Sequence, residues 1–271
     1  MRRRVYLIVA LVPTWVQAVA PGTPGDTDTV DFRPVGKVFS ASAVLVGPDL
    51  VLTAKHVGVA EFRLPFYGDF QPIGPGISHP DSDLLLFRID NLGMTLPYSR
   101  IKGSPVSDGA AITMAGYGIS GVLNGAGTGY DMSLPRGPRR KANALVSRTE
   151  YKSYGAFVPG YSLISILREN GQGALANGDS GGGIFETVGG ESLLVGINSF
   201  VDVWGNWNGS NAYQFSSSND NYFASGAVSL SHYADWLRAN GASVVPEPAT
   251  MIVAVTGFSL FLRRRRPTSG P

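Results

Sequence analysis

Seven apolar runs, SAVLVG, LVLTA, DLLLFRI, AAITMAGYG, ALVSR, GGIF and SLLVGINSF, are each bounded by clusters of Gly, Pro, Asn or Asp. Runs this short between turn-forming residues mark strands joined by turns and leave little room for helices. The 35 glycines and 18 prolines supply the turns, and 44% apolar residues in a chain of 271 supply a core. Only SLSHYADWLRAN, residues 229–240, has helical spacing, with Leu230, Tyr233 and Leu237 on one face and Asn240-Gly241 as a stop. Residues 21–31 have linker composition. Residues 119–141, poor in apolar side chains and rich in Gly and Pro, read as the connection between an N-terminal and a C-terminal half. The pattern predicts an all-β body closed by one terminal helix.

The chain has no cysteine, so disulfides and thiolate metal sites are excluded. Its net charge of +2 comes from the ends. Arg2–Arg4 and Arg263–Arg266 account for seven of the 22 basic residues, which leaves 15 against 20 acidic ones. The body is mildly acidic, and nothing in it argues for nucleic acid. Arg136, Arg139, Arg140 and Lys141 form the one internal basic cluster, which beside two prolines reads as a solvated loop.

Both ends read as targeting segments. MRRRVYLIVALVPTWVQAVAPG combines basic residues, an apolar stretch and small residues near Ala18 and Ala20, the layout of a signal peptide. Cleavage after Ala18 or Ala20 fits, and the first avoids leaving Pro21 at the new terminus. At the other end, Val245-Pro246-Glu247-Pro248 precedes 14 uncharged residues, Ala249–Leu262, and then the four arginines. As a helix, 14 residues span about 21 Å, short of the roughly 30 Å hydrocarbon core. This order of parts resembles the bacterial PEP-CTERM sorting signal, covering 242–271. It implies export through signal peptidase across the inner membrane, transient retention there by the apolar segment, and processing by an exosortase. Destinations are the cell surface, the extracellular matrix or release.

NGDSGGG, residues 177–183, holds a serine, Ser180, that two hydrolase designs could own. A serine hydroxyl needs a base to take its proton, and the base needs a group that fixes its tautomer. GDSGG fits the nucleophile elbow G-x-S-x-G, which with Asp202 or Asp220 and His232 would give an α/β-hydrolase order. That elbow requires a helix after the serine, whereas three glycines and two β-like runs follow. The other assignment takes His56 from VLTAKHV, Asp83 from HPDSDLLLFRI and Ser180, in the order His, Asp, Ser.

Here the chain resembles the trypsin/chymotrypsin family of serine endopeptidases. SAVLVGPDLVLTAKHV is similar to that family's strand-turn-strand ending in LTAAHC, DLLLF to its D-I-A-L-L block, and GDSGGG to its GDSGGP block. AGYG, LLVGINSF and SGAVSLSHYADWL extend the likeness from about Phe32 to Asn240. The resemblance implies two packed six-stranded antiparallel β-barrels with a C-terminal helix. Barrel one is expected at about 32–118, the linker at about 119–141, and barrel two with the helix at about 142–241, after a signal peptide (1–18) and an N-terminal segment (19–31). Asp81 lies two residues before Asp83, and strand alternation cannot separate them. The D-I-A-L-L match favours Asp83.

By the same resemblance, Ser180 is the nucleophile, His56 the base and Asp83 its orienting acid, with no metal or cofactor. The Gly178 and Ser180 N–H groups form the oxyanion hole, and Asp179 pairs with a new N-terminal amine. Cleavage after Ala18 would expose VAPGTPGD, an approximate echo of the family's IVGGT, with Val19 as the amine. Lys55 stands where the family has alanine, and a nearby ammonium would lower the His56 pKa. A solvated lysine pointing away is the simpler reading. His79 is expected to be a loop residue.

Ala174, six residues before Ser180, is the implied base of the primary pocket. It offers no carboxylate to Arg or Lys, so an uncharged preference is expected. Asn177, Ser199, Phe200 and Val201 are the implied substrate-contacting residues. Trp204, Trp207, Tyr213 and Phe215 are either a substrate wall or loop packing. The favoured reading is an exported endopeptidase acting on protein or peptide substrates. A surface or matrix binding protein that keeps the fold with little turnover stands as the alternative.

Overall fold

The computed structural model describes residues 17–18, 23–24, 32–136, 139–204, 212–216 and 222–246. The expected signal peptide, apart from Gln17 and Ala18, and the expected sorting signal from Glu247 onward lie outside the described residues.

Two curled, almost wholly antiparallel sheets form the body, as the turn-punctuated runs predict. The first has the order Gly68–Phe70, Phe62–Leu64, Val35–Val38, Ala41–Leu45, Leu50–Ala54, Leu84–Ile89, Pro72–Ser78. Its two outermost strands are separated in sequence by Gln71 alone. The sheet must therefore curl until its edges approach, which removes them as pairing templates. The second sheet runs Arg148–Tyr154, Phe157–Ile166, Tyr222–Ser229, Glu191–Trp204, Gly183–Val188, Ala111–Gly116, Arg140–Leu145, with Thr23–Pro24 at its edge. Arg140–Leu145 and Arg148–Tyr154 stand near opposite ends of that order but are joined by only Val146 and Ser147. The Ser147 N–H donates to Ile164 O at 2.7 Å and the Val146 N–H to Ala110 O at 3.0 Å, which closes the second barrel.

Several first-barrel strands are buried on both faces, which explains why their sequences read as unbroken apolar runs. Leu45, Val51, Phe87 and Ile89 fill the barrel with Phe62 and Phe70. Their neighbours Val44, Leu50, Leu52, Leu84 and Leu86 face outward into a second cluster with Ala115, Tyr117, Phe185, Leu194, Ile197 and Val228 of the other barrel. Alternation thus supplies one core inside the barrel and another between barrels. The terminal helix caps that junction. A 3₁₀ turn, Leu230–Tyr233, leads into the α-helix Ala234–Ala239, and Leu230 and Leu237 are buried in the junction cluster.

Four expectations need correction. Ala111–Gly116, assigned by sequence to barrel one, pairs with Gly183–Val188 and Arg140–Leu145 in the second sheet. The supposed linker is itself a hairpin, Ser120–Leu123 with Gly129–Leu134, flanked by Gln17–Ala18 and Ala212–Gln214 in a separate four-stranded sheet. Its Tyr130 and Met132, two residues apart, point into one apolar cluster, a signal that the surrounding glycines mask. The basic cluster is solvated only in part, since Arg136 is exposed and the rest packs against the body. Arg139 and Arg140 are buried, Arg139 Nη1 donates to Val35 O at 3.2 Å, and Lys141 Nζ sits 4.9 Å above the Phe32 ring. Finally, the body extends past residue 241, because Val244–Val245 pair in parallel with Ile101–Lys102.

Candidate active site

His56 follows the strand Leu50–Ala54, and Asp83 precedes Leu84–Ile89. These strands are paired with Ala54 opposite Leu84, so the register brings the two residues together. Asp83 is 3% exposed, and its carboxylate accepts three hydrogen bonds. His56 N–H donates to Oδ1 at 3.0 Å, His56 Nδ1 bonds Oδ2 at 2.8 Å, and Ser199 Oγ donates to Oδ2 at 2.5 Å. The two bonds to His56 fix both the ring and its tautomer, leaving Nε2 as the free acceptor. The rival Asp81 is exposed, and its N–H donates to His79 Nδ1 at 3.1 Å.

Ser180 lines a cleft of about 500 Å³ together with His56. Among the described residues no hydrogen bond joins the two side chains, and such bonds commonly tighten only when substrate binds. The loop carrying Ser180 is tied to the first barrel through Ser42. Ser42 N–H donates to Ser180 O at 2.9 Å, and Ser42 Oγ donates to Gly178 O at 3.0 Å while accepting from Tyr117 N–H at 3.0 Å. Gly178 and Gly181 adopt φ of 100° and 81°, values that a side chain disfavours. Neither the Gly178 nor the Ser180 N–H has a partner among the described residues, although both residues border the cleft. Two unpaired main-chain donors beside a serine are what a developing oxyanion needs.

Asp179, between those donors, is fully buried and supports the loop from below. Its Oδ1 accepts from Gly118 N–H at 2.7 Å and its Oδ2 from Ala176 N–H at 2.9 Å. Burial pushes its pKa up to about 7, against the pull of those two N–H groups and of the Arg140 and Arg136 guanidinium groups. Val19, the expected amine partner, lies outside the described residues. A raised carboxyl pKa means the folded state holds a proton that the unfolded chain releases above about pH 4. The resulting stability is complete below that pH and is lost as pH rises through about 7. Thermal unfolding of the unprocessed chain, followed from pH 4 to 8, should therefore show wild type losing stability relative to Asp179→Asn as pH rises. A pH-independent difference between them would contradict this.

Of the expected substrate residues, Asn177, Ser199, Phe200 and Val201 line the cleft with Leu175 and Ala176. Ala174 does not. It is fully buried in the cluster of Tyr130, Met132, Leu167 and Phe223, behind the wall that Leu175 and Ala176 present. Counting back along the chain located the segment but not which of its residues faces the cavity. Tyr213, brought in by the strand Ala212–Gln214, lines the cleft instead, stacked on Phe223 at 3.9 Å. Phe215 packs on Tyr130 at 5.2 Å, while Trp207 lies outside the described residues and Trp204 is placed by its backbone alone.

The sequence reading missed an aromatic group beside His56. Phe157 meets the His56 ring edge-on at 5.7 Å and adjoins Tyr154 and Phe200. The spacing of Tyr151, Tyr154, Phe157 and Tyr161 along one hairpin was the available signal. Lys55 Nζ donates to His79 O at 3.4 Å, so its ammonium is held by that carbonyl. His79 packs against Tyr233 and Trp236, and burial lowers its pKa. His232 stacks on Tyr161 at 4.2 Å and bonds Ser229 Oγ at 3.2 Å, and it does not border the cleft of Ser180. With a strand, Gly183–Val188, following the serine loop, the elbow assignment fails.

Two barrels with a histidine–carboxylate pair on one and a glycine-rich serine loop on the other define a chymotrypsin-like architecture. One solved structure with a TM-score above 0.5 shares this fold. Neuropsin, a serine protease expressed in the limbic system of mouse brain, matches with a TM-score of 0.55 at 16% identity, over 81% of this chain and 98% of that one. The inactive form of the Rv3671c protease matches with a TM-score of 0.49 at 16% identity, over 78% of this chain and 90% of that one. No protein-family model and no curated protein matches the chain. The fold is that of the trypsin-like serine proteases.

Proposed function

We propose that the protein is an exported serine endopeptidase that cleaves peptide bonds through an acyl-enzyme. The observation that carries this reading is the convergence on one cleft of His56, held by Asp83, of Ser180, and of two unpaired N–H donors. In the proposed reaction, Ser180 Oγ attacks the scissile carbonyl as His56 Nε2 takes its proton. Gly178 and Ser180 N–H groups hold the oxyanion, and His56 returns the proton to the leaving amine. Water then repeats the sequence on the acyl-enzyme. Asp83 offsets the charge on His56 at each stage, and Ser199 Oγ keeps its carboxylate in place.

Among the described residues no Asp or Glu lines the cleft, which supports a preference other than Arg or Lys next to the scissile bond. Export, exosortase processing and membrane retention rest on the two terminal segments. Removal of residues 1–18 would free the Val19 amine, and a cation joining the buried Asp179 would favour its ionised form. A fluorophosphonate probe should label the wild-type protein covalently and leave Ser180→Ala unlabelled. A correctly processed protein that resists the probe would instead favour a binding role for the fold.

A further inference from the structure

The sequence pattern places Arg136 in a solvated loop, and in the fold this exposed side chain forms part of the cleft wall. Among the described residues that line the cleft it is the only Lys or Arg, and no Asp or Glu accompanies it there. Its Nη2 donates to Asn177 Oδ1 at 2.5 Å, which anchors the guanidinium to the serine loop. Its position relative to the oxyanion residue is defined. A Cβ built on Gly178 would lie 2.8 Å from Arg136 Nε and 3.0 Å from Ser40 O, so Arg136 and Ser40 flank Gly178 on the same side. Phe39, Ser40 and Ala41 are the first-barrel margin of the cleft, whereas Ser199, Phe200 and Val201 form its second-barrel margin.

The guanidinium has no carboxylate partner among the described residues. The nearby Asp179 is buried beneath the loop, with both oxygens occupied by Gly118 and Ala176 N–H groups. A guanidinium offers five donors in a planar fork suited to a carboxylate. One neutral amide oxygen uses one of those donors and gives the fork no carboxylate to bind. With the acyl half of the substrate running along Ser199–Val201, the margin of Phe39–Ala41 and Arg136 falls to the leaving-group half.

We propose that Arg136 selects substrates carrying an Asp or Glu at the first or second position after the scissile bond. This rests on the endopeptidase reading and adds the chemical class of substrate. An arginine at an exposed margin gives a modest preference, roughly two- to fivefold between a carboxylate and its amide isostere.

The test is a cleavage profile of the processed protein on a peptide library, followed by kcat/KM on paired peptides that differ only in Asp against Asn, or Glu against Gln, at those positions. The wild type should enrich acidic residues there. Arg136→Ala should bring the Asp/Asn ratio toward one, and Arg136→Glu should invert the preference toward Lys. Cleavage with no acidic enrichment, or a ratio unchanged in Arg136→Ala, overturns the proposal while leaving the endopeptidase reading intact. Failure to cleave any peptide, together with no fluorophosphonate labelling, overturns both.

Discussion

Asp83→Asn is expected to lower kcat by about ten-thousandfold with little change in the folded structure. The three bonds to the carboxylate give the reason. An amide can place its nitrogen at either oxygen position. At the Oδ1 position it would confront the His56 backbone N–H, which cannot turn away. At the Oδ2 position it meets Ser199 Oγ, which can rotate and accept, and His56 Nδ1, which must then be the acceptor. The second arrangement wins, and the ring proton moves to Nε2. A histidine protonated on that nitrogen cannot take the proton of Ser180. Steady-state kinetics on a cleaved peptide, with circular dichroism to show that the fold persists, checks the prediction. A loss below about tenfold would mean that Asp83 does not set the tautomer of a catalytic base.

Gly181→Ala should be the second severe change, and it acts through the junction of the barrels. A Cβ there would run into Ser42 O and Thr53 Oγ1, which are themselves hydrogen-bonded at 2.9 Å. The backbone at Gly181 also has φ of 81°, and its N–H donates to Asn198 O at 2.8 Å, so the loop is held from the other side. The left-handed conformation costs a non-glycine residue about 1–2 kcal/mol, and overpacking a well-filled site costs about 1–3 kcal/mol more. Displacing the loop by about 1 Å would cost roughly a hundredfold in rate. Chemical denaturation and peptide kinetics should therefore both register the change. A variant with wild-type stability and rate would show that Ser42 and Thr53 yield freely to a methyl group.

How much of this was legible in the chain depends on the distance over which each feature is determined. The strands around His56 and Asp83 were readable because they are local apolar runs, and the paired register of Leu50–Ala54 with Leu84–Ile89 delivers both residues to one place. The serine loop was readable because its glycines are demanded locally, by positive φ and by close approach. The hairpin within 119–141 was not, because two buried residues, Tyr130 and Met132, carry it amid turn-forming neighbours. Arg139 looked solvated because only the fold supplies Val35 O as its partner, 104 residues away. The same holds for Phe157 against His56 and for Ser42 against Gly178, contacts whose sequence separation leaves no periodic trace. Ala174 failed for a different reason. A count of residues presumes a wall of fixed shape, and here Tyr213 enters from another strand.

The division of the site between the barrels also sets an order in time. His56 and Asp83 belong to the first barrel, while Ser180, the two unpaired N–H groups beside it and Ser199 belong to the second. The junction core further requires Val228, Leu230 and Leu237, near the end of the body. A chain crossing a membrane from its N-terminus would thus deliver base and acid long before the nucleophile, and the cap of the junction last of all. On the proposed reading, the enzyme stays silent throughout its own translocation and becomes able to cut only once nearly the whole body has emerged.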